Sequence, residues 1–178
     1  MNYVAVINIG INNLKSIIGA VNYFGYKTIV TNKKEKIMNS SALILPGVGS
    51  YPAGMQKLKK TGLDIIIKKY FKQEKPILAV CLGFQMLFKS SDEFKYTKGL
   101  GFLSGRVKFL KTLKTKKMIP NLGWSKINFK KKKNNSLFTG VNSNSSLYFI
   151  HSYFVETTNK EYITSMIDFE KKKLFLQF

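Results

Sequence analysis

Cys81 and His151 are the one cysteine and the one histidine of this 178-residue chain. Cys81 follows the apolar run Ile77-Leu78-Ala79-Val80, opened by Pro76, and precedes Leu82-Gly83-Phe84-Gln85-Met86-Leu87-Phe88. The run is short, charge-free and β-prone, so it reads as a buried central strand. Leu82 to Phe88 changes to helical character. Cys81 therefore falls at a strand-to-helix junction, where Gly83 lets the backbone turn sharply. The N–H groups of a following helix favour thiolate over thiol. This is a nucleophile elbow carrying sulfur, and its chemistry is covalent attack on a carbonyl or amide carbon. Pro46-Gly47-Val48-Gly49 also follows a strand. Backbone N–H groups of Gly47, Val48 and Gly49, with that of Leu82, can form an oxyanion hole. Each signal has a plainer reading, because a lone cysteine beside a strand is often a small buried hydrophobe. A Pro-Gly-Val-Gly string is often a tight turn. Composition alone makes His151 the only histidine base available to the thiol.

The elements that must hold these residues follow in order. Tyr3 to Ile9 reads as a first strand and Gly10-Ile11-Asn12-Asn13 as a turn, with Asn12 or Asn13 capping a helix over Leu14 to Phe24. Gly25 ends that helix. Lys27 to Thr31 and Ala42 to Leu45 read as strands, and Gly54 to Lys60 and Leu63 to Phe71 as helices. The alternation implies an α/β fold with a central, mostly parallel sheet flanked by helices. The second half is strand-rich: Leu103 to Leu110, Trp124 to Phe129, Leu147 to Phe154, Tyr162 to Asp168 and Leu174 to Phe178. Lys130 to Asn135 reads as a charged, solvated loop. No repeat or linker divides the chain, so residues 1–178 read as one domain.

Hydrophobic residues make up 44%, enough for a core. No apolar run approaches the ~18 residues of a transmembrane helix. The N-terminus carries no evident signal peptide. A single Cys excludes an internal disulfide, and with one His it leaves too few soft ligands for a zinc site. No metal or cofactor is expected, and the cytoplasm is the expected compartment. The net charge of +21 raises a nucleic-acid hypothesis. Lysines, however, are spread along the whole chain, and Arg106 is the only arginine, although arginine is the usual base-reading residue. The charge reads as a Lys/Asn-rich bias on tolerant surface positions, without a specific nucleic-acid partner or a membrane.

Ala-Val-Cys-Leu-Gly-Phe-Gln-Met-Leu-Phe closely resembles the nucleophile segment of class I (triad) glutamine amidotransferases, with Ala79 where Gly is usual. The resemblance implies a flavodoxin-like fold and a Cys81 that takes the side-chain amide of glutamine, forms a glutamyl thioester and releases ammonia. Further strings follow one subfamily: Asn8-Ile9-Gly10-Ile11-Asn12-Asn13-Leu14-Lys15-Ser16, Gly99-Leu100-Gly101-Phe102, Gly105-Arg106-Val107, Pro120-Asn121-Leu122-Gly123-Trp124 and Tyr148-Phe149-Ile150-His151-Ser152-Tyr153. Together they are similar to the glutaminase subunits of imidazole glycerol phosphate synthases, of histidine biosynthesis.

That resemblance implies substrate-binding roles for Gln85 and Ser152. It implies an oxyanion strand at Gly47, Val48 and Gly49 whose peptide near Val48 reorients with the partner's state. It also implies a face at Asn12, Asn13, Asn121, Trp124 and His151 turned to a (β/α)₈-barrel cyclase, which would form a heterodimer with this chain and receive the ammonia. Asn8, Asn12, Asn121 and Ser125 depart from the pattern, largely on partner-facing segments. They keep one alternative in view, a paralogous subunit feeding ammonia to a sugar-aminating enzyme of surface-polysaccharide biosynthesis; the triad base expected to be absent adds a second, a non-catalytic remnant of the fold. The resemblance further implies that His151 is not the triad base. In the family the triad His and Glu follow a Gln-Phe pair, and Gln177-Phe178 are the last residues here, so the last strand and helix are expected to be missing and turnover negligible.

Overall fold

The structure is a computed structural model that describes residues 2–10, 13–129, 138–142, 145–170 and 172–176. Asn12 and the Lys130 to Asn135 segment lie outside the described residues. Val4-Ala5-Val6-Ile7 and Ala42-Leu43-Ile44-Leu45 are unbroken apolar runs, and such strands need cover on both faces. They form β1 (Val4–Ile7) and β3 (Ala42–Leu45). With β2 (Thr28–Thr31) and β4 (Ile77–Ala79) they build a four-stranded parallel sheet ordered β2-β1-β3-β4. Among the described residues β4 is therefore an edge strand, and Ile77 and Leu78 are only half-buried.

The connections are α1 (Leu14–Tyr23), α2 (Lys34–Met38), α3 (Tyr51–Lys60) and α4 (Leu63–Phe71). Right-handed crossovers with this strand order put α1 on one face and α2 to α4 on the other. Asn13 holds the N-cap position of α1, but its side chain makes no capping hydrogen bond. The apolar stripe of α1 (Leu14, Ile17, Ile18, Val21) is half-buried, and no residue of that helix is fully buried. α3 begins three residues before the expected Gly54 because Pro52 suits a first turn, where its missing N–H costs nothing.

The helix after Cys81 is shorter than its apolar run suggests. α5 (Leu82–Met86) stops, and Phe88 starts β5 (Phe88–Ser91). Phe88 is 1% exposed and meets Phe84 edge-on at 5.2 Å, so core packing claims it as a strand residue. β6 (Thr97–Lys98), β7 (Leu103–Phe109) and β11 (Tyr153–Glu156) join β5 in a second sheet ordered β11-β7-β5-β6. β8 (Asn121–Lys126) and β10 (Ser146–His151) form an antiparallel two-stranded ribbon. β9 (Asn128–Phe129), β12 (Ser165–Phe169) and β13 (Lys172–Leu176) complete a three-stranded sheet.

The expected strand from Leu147 to Phe154 is thus two strands in two sheets. The break is Ser152, whose carbonyl accepts the Leu110 N–H at 2.9 Å. The expected strand from Trp124 to Phe129 breaks likewise at buried Ile127. Two cores result. One surrounds the parallel sheet and includes Ile7, Leu43, Leu45, Tyr51, Leu58 and Leu82. The other gathers Leu110, Phe149, Phe154, Ile167, Phe169 and Leu174.

Candidate active site

Cys81 sits directly beyond the C-terminal end of β4, with φ 55° and ψ −117°. That region is strained for a residue with a side chain, and such strain concentrates at functional positions. The elbow is enforced from two sides. A Cβ on Gly83 would lie 1.9 Å from the Leu45 carbonyl oxygen, so only glycine fits. A Cβ on Gly47 would lie 2.9 Å from the Gly83 nitrogen, so the Pro46–Gly49 turn presses directly on the elbow. The Val80 N–H donates to Leu45 O at 3.0 Å, and the Gly83 N–H to Val80 O at 3.0 Å. Buried Ala79 is accommodated at 1% exposure.

Cys81 is exposed as a residue and lines a cavity of about 330 Å³, while protein packed around its side chain still removes part of the thiol's hydration. Burial by the surrounding protein pushes the thiol above its ordinary value, and the Leu82 N–H offsets this only in part. The expected thiolate bias of the helix end is therefore outweighed by burial, the larger of the two effects on Cys81.

The Leu82 N–H also donates to Gly47 O at 3.3 Å. In a trans peptide the Gly47 carbonyl and the Val48 N–H point in opposite directions. The Val48 N–H is thus turned away from Leu82, and an oxyanion hole built from both is not assembled in this conformation. Val48 itself is 45% exposed, and Gly49 has φ +89°.

Gln85, one turn after Cys81, lines the cavity and donates its Nε2–H to Tyr153 O at 3.3 Å. His151 lines the same cavity, but both ring nitrogens are engaged. Nδ1 meets Tyr153 O at 2.9 Å, and a carbonyl can only accept, so Nδ1 carries the proton. Nε2 then accepts from Asn121 Nδ2 at 3.0 Å. Burial lowers the His151 pKa, partly countered by the Tyr153 carbonyl. This is a neutral imidazole with no free lone pair for the Cys81 proton.

Ser152, at the β10–β11 break, is not among the cavity-lining residues. Trp124 is 73% exposed on β8 and meets Tyr148 of β10 edge-on at 5.6 Å. Asn13 is exposed on the loop after β1.

Sequence reasoning missed Glu93. Its carboxylate is 8% exposed and accepts the Tyr51 N–H at the start of α3 at 2.7 Å. Burial raises its pKa, and the Tyr51 N–H pulls it partly back. Burial raises the pKa of Tyr153, another cavity residue, and the Glu93 charge adds to that rise. An acid following Ser90-Ser91-Asp92 in so basic a chain was the available signal.

A parallel sheet with a cysteine elbow beyond one strand and a glycine turn beyond its neighbour is the arrangement of an α/β enzyme that works through a thiol nucleophile. The family model for glutamine amidotransferase class-I matches residues 5–174. The chain is 40% identical over 171 residues to the imidazole glycerol phosphate synthase subunit HisH 2 of Methanococcus maripaludis, covering 95% of this chain and 82% of that protein. It is 37% identical over 153 residues to the HisH subunit of Bacillus cereus, covering 86% and 71%. A solved glutamine amidotransferase superposes with a TM-score of 0.70 at 15% identity over 93% of this chain and 84% of that one. The glutaminase domain of Trypanosoma brucei CTPS with bound acivicin superposes with a TM-score of 0.62 at 12% identity over 98% and 79%. The chain belongs to the class-I glutamine amidotransferase family and, within it, to the family of imidazole glycerol phosphate synthase HisH subunits.

Proposed function

We propose that this chain is a glutaminase subunit that hydrolyses glutamine through Cys81 and passes the ammonia to a cyclase partner. The observation that carries the reading is the strained Cys81 elbow, locked by Gly83 against Leu45. In the reaction, the thiolate adds to the side-chain amide carbon of glutamine. The C–N bond breaks, nitrogen takes a proton and leaves as ammonia, and a Cys81 thioester remains. Water then adds to the thioester, the C–S bond breaks, and glutamate and the thiol are released. No cofactor is needed for any of these steps. The oxyanion would be held by the N–H groups of Leu82 and the Gly47–Gly49 turn once the Gly47–Val48 peptide rotates. Gln85 and Ser152 serve the substrate, and Asn12, Asn13, Asn121, Trp124 and His151 belong to the partner side.

Both ring nitrogens of His151 are engaged, so the general base is not assigned to it. His151 is then a strut between β8, β10 and β11. The partner is a (β/α)₈-barrel cyclase that makes imidazole glycerol phosphate and aminoimidazole carboxamide ribotide, in the cytoplasm, with no specific nucleic acid involved. The names of the relatives favour this partner over a sugar-aminating enzyme.

The test is intact-mass labelling with a glutamine-like chloroketone. One adduct is expected on the wild-type chain and none on Cys81→Ser. A chain that binds the cyclase without ever labelling would be the non-catalytic remnant. Glutamine hydrolysis by the 178-residue chain that disappears in His151→Ala would move the base to His151.

A further inference from the structure

One main-chain oxygen sets the direction of the side chains around it. Tyr153 O accepts from Gln85 Nε2 at 3.3 Å and meets His151 Nδ1 at 2.9 Å. A carbonyl oxygen has lone pairs and no proton, so it holds both groups only as donors. Gln85 must therefore turn its amide nitrogen to Tyr153, and His151 must carry its proton on Nδ1. His151 Nε2 is then a lone pair, so Asn121, 3.0 Å away, must present its Nδ2–H and not its oxygen. The row Asn121–His151–Tyr153–Gln85 thus has one consistent assignment of donors and acceptors. It crosses β8, β10, β11 and α5. Asn121 and His151 are directly paired in the β8–β10 register, which brings the amide onto the ring. All of these residues are half-buried, where hydrogen bonds are stronger than in water.

The row ends at the cavity. Gln85 and His151 line it together with Cys81. With its nitrogen committed to Tyr153, Gln85 offers the cavity its Oε1, which has no partner among the described residues. A reversed amide would set two oxygens face to face. Free imidazole in water favours the other tautomer, with the proton on Nε2. A donor at Nε2 is what keeps the proton on Nδ1. Without it, the Nδ1 lone pair would face Tyr153 O and repel it. We infer that Asn121 is a positioning residue for the glutaminase site: it fixes the His151 tautomer, His151 fixes the Tyr153 carbonyl, and that carbonyl holds Gln85 with its oxygen toward an N–H group of bound glutamine. This rests on the glutaminase reading above and deepens it. Only Gln85 touches the substrate; Asn121 acts through the other members of the row.

The chain has one histidine, so its imidazole nitrogen NMR signals need no assignment. At about pH 8, above the ordinary histidine range, wild type is expected to show a protonated Nδ1 and a bare Nε2. Asn121→Ala is expected to move the proton to Nε2. Saturable labelling of Cys81 by the glutamine-like chloroketone supplies the second readout. Asn121→Ala is expected to raise the half-saturating concentration about tenfold, the size of one weakened hydrogen bond to substrate. The maximal labelling rate and the rate with iodoacetamide, which does not read Gln85, stay within about twofold. Gln85→Leu is expected to raise the half-saturating concentration at least as much. Adding Asn121→Ala to Gln85→Leu changes little more, because both act through the same oxygen. A wild-type His151 protonated on Nε2 overturns the inference before any variant is made. So does an unchanged half-saturating concentration in Asn121→Ala, or full additivity of the two substitutions. So does an iodoacetamide rate that changes along with the half-saturating concentration, which would mean a general loosening of the site. Each of these leaves the glutaminase reading standing. A wild-type chain that iodoacetamide alkylates but the chloroketone never saturates overturns both.

Discussion

The Gly47 carbonyl faces the Leu82 N–H at 3.3 Å, in the place where an oxyanion would need a donor. The same N–H serves the Cys81 sulfur, whose thiol is held above its ordinary value of 9.0 by burial. A thiol in that setting reacts slowly at neutral pH, since the thiolate is the nucleophile. The rate of Cys81 alkylation by iodoacetamide should therefore keep rising beyond pH 9.0 in the free chain. A plateau reached below about pH 8 would mean that the helix end governs the sulfur after all.

Gly83 is expected to be the least replaceable residue of the elbow. Its Cβ position lies 1.9 Å from Leu45 O, a backbone atom of an inner strand that cannot swing aside. Gly83→Ala should cost at least about 3 kcal/mol in urea unfolding, as overpacking against backbone does. Gly19→Ala is the matched control. Gly19 lies within α1 with nothing within 4 Å of its Cβ position, so alanine should stabilise by about 0.5–1 kcal/mol. Equal effects at the two positions would remove the argument for an enforced elbow.

His151 makes stability depend on pH with a definite sign. Its folded pKa lies below the ordinary 6.5, because burial opposes the charged ring. The unfolded chain therefore binds a proton that the native state resists. Stability is fully present above pH 6.5 and is lost as pH falls from 6.5 toward the depressed folded value. Protonation would also force the Asn121 amide to turn, since Nε2 could no longer accept. Urea midpoints measured between about pH 7.5 and about pH 5.5 should decline for wild type and flatten for His151→Gln. Stability that rises on acidification over that range would show His151 to be charged in the native state.

What the sequence made legible follows the physics of each segment. β1 and β3 could be read because buried parallel strands are continuous apolar runs, and Ala42 to Leu45 matches β3 residue for residue. The strand-to-helix change at Cys81 could be read because Gly83 and the shift of periodicity mark it. The end of α5 could not. Leu87 and Phe88 are apolar whether helix or strand, and only the core contact of Phe88 decides. The break at Ser152 was equally hidden, since Leu147 to Phe154 alternates without interruption and the division comes from pairing with β8 and β7. The orientation of the Gly47–Val48 peptide leaves no trace in composition at all. Neither does the engagement of His151 by Asn121 and Tyr153, which is purely tertiary.

Glu93 offers a separation of charge from hydrogen bonding. Its carboxylate is buried and accepts the N–H of Tyr51, itself fully buried, at 2.7 Å. Burial raises its pKa above the ordinary 4.5, and the Tyr51 N–H only partly restores it. The native state thus holds the proton more tightly than the unfolded chain. This contribution is fully present below pH 4.5 and is lost as pH rises through the folded value, so at neutral pH the ionised group subtracts from stability. Glu93→Gln removes the charge and keeps an oxygen for Tyr51, so its melting temperature at about pH 7 should equal or exceed that of wild type. Glu93→Ala leaves the Tyr51 N–H buried without a partner at the start of α3 and should cost about 1–2 kcal/mol. Thermal melts of the three proteins check both statements. A Gln variant as unstable as the Ala variant would mean that the charge-assisted bond to Tyr51 outweighs the cost of burying the carboxylate.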